Sequence, residues 1–453
     1  MKNVVESQRD YFNSGNTSSI KFRIDKLKEL RQLLVSNEKK LYDAIYKDFK
    51  KSEFDTYTTE LGMVYQHIDE ACKKLNKWSN SQRVNTNLLN FPANSYIIPE
   101  PLGVCLVIGA WNYPYLVSLT PVIAAISAGN TVILKPSELP RHTSAVMAKL
   151  INNTFNSSFL YVKEGGVKET TELLAKKFDK IFFTGSQQVG KIVYRAAAEQ
   201  LTPVTLELGG KSPAIVTKGA NLKITVRRLV WAKFLNAGQT CIAPDYVLVD
   251  DSIKDQFLIH LKTEIKNQNY SIENSNYVQI IDDKHYQRLV GMIDPKRVLV
   301  GGNCDKSNRT ISPTVMTDIN DDDKVMKDEI FGPILPVISY TDLDDAITAI
   351  KKRSKPLACY VFSKKTKTQK KVLKQISFGG GSVNDALMHL SNSELPFGGV
   401  GSSGIGAYHG FHGFRTFSHF KGILDKPTWF EANLKYYPQS AKKLKLIKLL
   451  FRQ

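Results

Sequence analysis

Val104-Cys105-Leu106-Val107-Ile108-Gly109 decides the fold of this chain, together with a helix-compatible run from about Pro114 and then Thr131-Val132-Ile133-Leu134. Both apolar runs read as strands buried on two faces. Pro114 suits a first helical turn, where the missing N–H leaves no partner wanting. Strand, helix and strand in series predict a parallel sheet covered on both faces. Phe159-Leu160-Tyr161-Val162 and Lys180-Ile181-Phe182-Phe183 repeat the theme, each followed by a helical stretch. On the N-terminal side, Ile24, Leu27, Leu30, Leu34 and Leu41 fall at helical spacing and predict a helix over 20–48. On the C-terminal side, Asp245-Tyr246-Val247-Leu248-Val249, Leu335-Pro336-Val337-Ile338, Ala358-Cys359-Tyr360-Val361-Phe362 and Gly381-Ser382-Val383-Asn384 read as strands, around helices near 222–236, 253–267 and 342–353. The fold class is therefore α/β, with a second α/β domain after the first.

Ligands of such sheets lie beyond the carboxyl ends of the strands. Asn112, Lys135 and Gly185 each fall just after a predicted strand, where a nucleotide would lie. Gly185-Ser186-Gln187-Gln188-Val189-Gly190 lacks the Gly-x-Gly-x-x-Gly order of the usual dinucleotide fingerprint. Ile192 stands where a phosphate-binding P-loop needs Ser or Thr. What the segment does offer is backbone N–H groups and a helix N-terminus for a pyrophosphate. The plainer reading is a strand-to-helix turn whose glycines serve the backbone.

Chemistry enters with Glu207-Leu208-Gly209-Gly210-Lys211 and Gly238-Gln239-Thr240-Cys241. A thiolate can attack a carbonyl carbon and hold the product as a thioester, and a nearby carboxylate can activate the water that releases it. Most cysteines are buried and inert. Cys241, however, lies between a small polar run and Ile242-Ala243-Pro244-Asp245, in turn chemistry that suits a positioned thiol.

These two segments resemble the signatures of the aldehyde dehydrogenase superfamily. Trp111-Asn112-Tyr113-Pro114, Lys135-Pro136-Ser137-Glu138, Phe183-Thr184-Gly185-Ser186, Glu329-Ile330-Phe331-Gly332-Pro333 and Leu395-Pro396-Phe397-Gly398-Gly399-Val400 match further family segments in the family's order. The run 241–246 and Tyr408-His409-Gly410 look most like the class 3, fatty-aldehyde branch.

The resemblance implies a Rossmann-like NAD(P)-binding domain over 1–82 and 100–207 and a catalytic domain over 208–396. It also implies a small β bridging and oligomerisation arm over 83–99 and 397–425, leaving a tail over 426–453. It implies Cys241 as nucleophile, Asn112 and the Cys241 N–H as oxyanion donors, and Glu207 as general base. Lys135 and Glu138 would hold the adenosine ribose, Gly185, Ser186 and Gly190 the pyrophosphate, and Glu329 and Phe331 the nicotinamide ribose and ring. Tyr113, Trp231, Thr240 and Phe397 would line the substrate funnel. The implied reaction is NAD(P)-dependent oxidation of a medium- or long-chain aliphatic, or an aromatic, aldehyde to the acid. A carboxylate at Glu138 repels a 2′-phosphate, which favours NAD, with NADP as the alternative. No metal is implied, and the assembly expected is a homodimer. The competing readings are a CoA-acylating enzyme, against which Glu207 counts, and a silent binding or structural protein on the same scaffold, against which Cys241 counts.

Composition agrees. The chain has 453 residues, 42% of them hydrophobic, enough for about three domains on the usual length relation. Cys72, Cys105, Cys241, Cys304 and Cys359 form no C-x-x-C pair, so neither a disulfide framework nor a zinc cage is indicated. Residues 1–15 are polar, without a secretory signal's apolar core, and the cytoplasm is the expected compartment. The net charge of +19 is scattered and comes with no base-reading module, so no nucleic-acid partner is expected. Charge concentrates in the tail: Lys435, Lys442, Lys443, Lys445, Lys448 and Arg452 interleave with Leu444, Leu446, Ile447, Leu449, Leu450 and Phe451. On a helix, Lys445, Lys448 and Arg452 share one side while Leu444, Ile447 and Phe451 lie on another. That pattern fits a tail that covers the body or a partner subunit, with peripheral contact with an anionic membrane as the alternative.

Overall fold

Val104–Ile108 forms a strand in which every residue is buried, with Thr131–Lys135 parallel to it on one side and Lys180–Thr184 parallel on the other. The computed structural model describes residues 2–451; Met1, Arg452 and Gln453 lie outside the described residues. In the first sheet Gly404–Ile405, Val204–Glu207, Lys180–Thr184, Val104–Ile108, Thr131–Lys135 and Leu160–Val162 lie side by side in that order. All pairs are parallel except the short Gly404–Ile405 strand against Val204–Glu207. The chain reverses its direction of winding between Val104–Ile108 and Lys180–Thr184. That switch point opens the crevice where a doubly wound sheet binds its ligand.

Helix Pro114–Ala128 crosses between the first two strands and is buried along its whole length, so it lacks the amphipathic stripe of a surface helix. The N-terminal helices cover it. Where the sequence predicts one helix over 20–48, there are two, Ile20–Val35 and Glu38–Phe49, broken at Ser36 and Asn37. A further helix, Lys2–Asn13, has no clear apolar stripe in the sequence and is anchored by a polar side chain: Gln8 Nε2 donates to the carbonyls of Val132 and Ser157. Asp48 caps a helix remote in sequence, Arg141–Thr154, by accepting from the N–H groups of His142 and Thr143 and from the Thr143 hydroxyl.

The second sheet orders Val298–Val300, Thr314–Met316, Ile334–Tyr340, Tyr246–Asp250, Pro213–Val216, Ala358–Phe362 and Gly380–Val383, parallel except at the Val298–Val300 edge. Its helices Leu222–Phe234, Lys254–Gln268 and Leu343–Lys352 lie within two residues of the sequence reading. A third sheet joins Gln82–Val84, Asn94–Pro101 and Ser418–Asp425, all antiparallel.

The stretch 397–425, read from sequence as arm, is divided. Only Ser418–Asp425 enters the three-stranded sheet. Before it, Gly404–Ile405 closes the edge of the first sheet beside Glu207, and helix Gly410–Thr416 packs on Pro114–Ala128. The reason is burial: Phe397, Tyr408, Phe414 and Phe417 are all core residues, a demand that an exposed ribbon could not meet.

The loop before Cys241 meets a loop of the second sheet at Gly238, where φ is +71° and an added Cβ would lie 2.2 Å from the carbonyl oxygen of Gly332. Gly219 has φ of +84° with nothing within 4 Å of an added Cβ. Gly219→Ala should therefore cost only the left-handed strain, on the order of 1–2 kcal/mol. Gly238→Ala should cost clearly more, because backbone must move as well. Thermal unfolding of the two variants beside the parent measures the difference.

Candidate active site

Strand ends deliver the reactive groups. Val204–Glu207 finishes on Glu207, which is 3% exposed and has neither carboxylate oxygen hydrogen-bonded among the described residues. Burial alone pushes its carboxyl well above the ordinary range. Helix Leu222–Phe234 ends the approach from the other side, and Asn236, Ala237 and Gly238 come next with φ of 54°, 51° and 71°. Such a left-handed run turns the chain sharply before Cys241, and strain of this kind collects at functional sites. Cys241 is partly exposed. Its thiol is pushed up to about 12, by burial first, then by the negative charge of Glu329 and of Glu207.

The loop is locked by amides. Asn236 Nδ2 donates to the carbonyls of Asn112 and Gln239, at 3.0 and 3.1 Å. Gln239 Nε2 donates to the carbonyls of Asn236 and Gln279, and its Oε1 accepts from Ile281 N–H. Asn112 Nδ2 donates to Gln239 O at 3.1 Å, which fixes the side chain against the nucleophile loop. An amide carries two donors, so one N–H of Asn112 remains for a further acceptor. Tyr113 and Thr240 share a 2.6 Å hydroxyl–hydroxyl hydrogen bond.

Glu329 arrives from the second sheet. Its Oε2 lies 2.0 Å from where a Cβ on Gly209 would sit, so only glycine fits there beside the carboxylate. Burial, then Asp245, raises the Glu329 carboxyl to about 8, against the pull of the Gly210 N–H, Lys211 and Arg288. Lys211 pairs with Asp245 and donates to the carbonyls of Val325 and Asp328, while Asp245 Oδ1 accepts from Ile330 N–H. Arg288 donates to the carbonyls of Glu329 and Ile330. Phe331, with φ of 48°, meets Trp111 edge to face at 5.3 Å, and His285 lies against the same indole.

The switch-point crevice fits a dinucleotide. Gly185 stands at the end of Lys180–Thr184, where an added Cβ would lie 2.6 Å from the Phe183 ring. Helix Gln187–Ala198 starts there and offers its first N–H groups, which have no partner within the helix. The Ser186 hydroxyl is the N-cap, accepting from Val189 N–H, and its own O–H remains free to donate on this exposed turn. Gly190 is buried against Leu208, at 2.7 Å from an added Cβ, and so serves helix-to-strand packing rather than phosphate contact. Lys135 is 2% exposed, with Nζ donating to Pro136 O at 2.7 Å and lying 3.6 Å from Glu138. Burial lowers its pKa.

The remaining predicted residues divide. Tyr113, Thr240 and Phe397 are buried, while Trp231 is 40% exposed on its helix. Phe397 is stacked on His409 and His389, and its backbone pairs with Tyr408, whose phenol feels Glu207 and Cys241. Sequence reading missed Gln239 and Asn236 as scaffold, Lys211 and Asp245 as the pair that holds the Glu329 loop, and Arg288, His285, Tyr408 and Lys233. Lys233 is fully buried, which brings its pKa down to about 8. Asn236-Ala237-Gly238 was the one local signal available, since Asn and Gly are the residues that accept left-handed backbone.

The model for the aldehyde dehydrogenase family matches residues 1–423. The chain is 43% identical to 4,4'-diaponeurosporen-aldehyde dehydrogenase of Staphylococcus aureus, over 99% of this chain and 100% of that protein. It is 44% identical to the dimeric NADP-preferring aldehyde dehydrogenase of Rattus norvegicus, over 98% and 99%. A solved structure described as the substrate-bound state of Staphylococcus aureus AldH superposes with a TM-score of 0.97 at 43% identity, covering 99% of each chain. A crevice for a dinucleotide, a partly exposed thiol and two carboxylates whose charge acts on that thiol, Glu207 buried and Glu329 partly exposed, agree with these likenesses: the chain belongs to the aldehyde dehydrogenase family and is an NAD(P)-dependent oxidoreductase of aldehydes.

Proposed function

We propose that Cys241 Sγ attacks an apolar medium- or long-chain aliphatic, or aromatic, aldehyde and that Glu207 releases the acid. The observation that carries this reading is a thiol that feels the charge of two carboxylates, Glu207 buried and Glu329 partly exposed, each raised above its ordinary range. The thiol must lose its proton, and the ionised form of Glu329 or Glu207, populated increasingly as pH rises, is the group able to take it. Attack forms the C–S bond and moves the carbonyl π pair to oxygen, where the free N–H of Asn112 stabilises the negative charge. Oxidation of this adduct to the thioester needs a hydride acceptor, which a bound nicotinamide would supply. Glu207 has both oxygens unpartnered and so can take a proton from water, whose oxygen then attacks the thioester and frees the Cys241 thiolate. Lys135 and Glu138 would hold the adenosine ribose, the 185–187 turn the pyrophosphate, and Glu329 and Phe331 the nicotinamide end. Retention of Glu207 favours water over coenzyme A as acceptor, and retention of Cys241 argues against a silent scaffold.

Tyr113, Phe397 and the half-exposed Trp231 support an apolar substrate. The Staphylococcus relative's name points the same way, to an aldehyde, 4,4'-diaponeurosporen-aldehyde. A homodimer is supported by the name of the rat relative and by Gln82–Val84, an outer strand of the arm that is exposed throughout. Five unpaired thiols support the cytoplasm.

The tail's helix, Ala441–Leu450, has no buried residue and rests against the turn Leu88–Asn90. Leu444, Leu446, Leu449 and Phe451 are exposed beside Lys442, Lys445 and Lys448. Such a surface supports peripheral binding to an anionic membrane. No helix of the described residues is long and apolar enough to cross a membrane.

Cys241→Ala should abolish NAD(P)H formation and leave dinucleotide affinity intact. Glu207→Gln should keep a single-turnover burst of reduced cofactor while steady turnover falls about 100-fold. Because Glu207 acts in its ionised form and its pKa is raised, parent turnover should increase as pH rises above the ordinary carboxyl range, and Glu207→Gln should flatten that rise. Normal turnover by Cys241→Ala rejects the nucleophile. Glu138→Gln should raise kcat/KM with NADP relative to NAD several-fold by removing the charge that opposes a 2′-phosphate; an unchanged ratio removes Glu138 from cofactor choice. In flotation with vesicles containing phosphatidylserine, the full chain should rise with the lipid and a chain ending at Tyr437 should not. Equal flotation rejects the anchor.

A further inference from the structure

We infer that the buried ion pair of Lys51 and Glu60 is a positioning element of the reaction, holding Asn112 and Thr240 in register with Cys241 from behind the site. The inference rests on the reading of Asn112 and Cys241 as reacting groups. Lys51 Nζ lies 2.7 Å from Glu60 Oε1, with the two side chains 1% and 0% exposed. Both lie in the N-terminal cover, Lys51 in the connection after helix Glu38–Phe49, whose last residue Phe49 stacks on Trp111 beside Asn112. Glu60 is turned inward by the π-helical stretch Tyr57–Leu61, a local irregularity often found where a side chain has a special duty.

Helix Pro114–Ala128 lacks a capping side chain of its own. Its N-cap residue is Tyr113, with no side-chain cap, and the preceding Asn112 has its amide committed to Gln239. Glu60 supplies the cap instead: Oε2 accepts from Tyr115 N–H at 2.8 Å and from Leu116 N–H at 3.4 Å. The carboxylate therefore fixes the first turn of the helix that begins two residues after Asn112. Lys51 adds a second hold. Its ammonium sits 4.3 Å from the centroid of the Tyr113 ring, and the hydroxyl of that ring bonds Thr240, the neighbour of Cys241. One cation and one carboxylate thus reach both the oxyanion donor and the nucleophile loop. A purely structural pair would sit equally well anywhere in the core, and replacing such a pair by a neutral one is often harmless to stability.

The test compares Glu60→Gln, Glu60→Asp and the double variant Lys51→Met/Glu60→Gln with the parent and with Cys241→Ala. For each, thermal midpoint, dinucleotide affinity, alkylation of Cys241 by iodoacetamide, and kcat and KM for an aldehyde such as hexanal are measured. Glu60→Gln should lower kcat about 10- to 100-fold, as expected for a misplaced reacting group, with dinucleotide affinity held within about twofold. Glu60→Asp, which keeps the charge, should recover part of the loss. The double variant separates folding from positioning: it should fold, and its kcat should stay low although no charge is left unpaired. A folded double variant or Glu60→Gln protein with parental kcat overturns the inference, as does a loss that only tracks the folded fraction. If Cys241→Ala is inactive while the Glu60 variants match the parent, only the positioning role falls; an active Cys241→Ala overturns both readings.

Discussion

The site is arranged around the desolvation of Glu207. A carboxylate at the end of a parallel strand, 3% exposed and without a hydrogen-bond partner among the described residues, is costly to keep ionised. No cation is placed beside it to lower that cost, and burial is the only cause of its raised pKa. An arginine or lysine partner would stabilise the carboxylate and weaken it as a base. The fold instead meets the cost elsewhere, in a buried crossover helix and two largely parallel sheets whose strands are covered on both faces.

The second carboxylate is handled differently. Glu329 has the Gly210 N–H, Lys211 and Arg288 within its field opposing its rise, whereas burial alone acts on Glu207. It is held by its loop: Lys211, Asp245 and Arg288 bind the carbonyls and N–H groups of residues 325–330. These three form a clamp on backbone, so the side chain of Glu329 keeps its freedom to serve the thiol or the cofactor. The two carboxylates thus reach similar positions around Cys241 with unequal support, and that inequality suits two roles in one turnover.

The nucleophile loop shows why positioning here is a property of several distant segments. Asn236, Gln239 and Asn112 tie the loop to the first sheet, Gly238 presses it against Gly332 of the second, and Gln239 reaches Gln279 and Ile281 of a third segment. Three left-handed residues in succession would not persist without those contacts.

Much of this was legible in the residues alone. The largely apolar runs at 104–108, 131–134 and 358–362 named their strands because a strand buried on both faces must be mostly apolar. The thiol and the carboxylates could be singled out because their chemistry is carried by residue type within short ordered segments. The sequence did not show where 397–417 would go, that the predicted helix over 20–48 breaks at Ser36 and Asn37, that Ser186 caps its helix or that Gly190 packs against Leu208. Nor did it show that Lys51, Glu60 and Asp245 would be buried and paired, Lys51 with Glu60 and Asp245 with the partly exposed Lys211. A lysine or glutamate reads as a solvated charge until packing removes its water, and packing is set by residues far away along the chain. Residue type determined which reactions were open to this protein; tertiary structure decided which charges lost their solvent, because desolvation depends on everything that closes around a group at once.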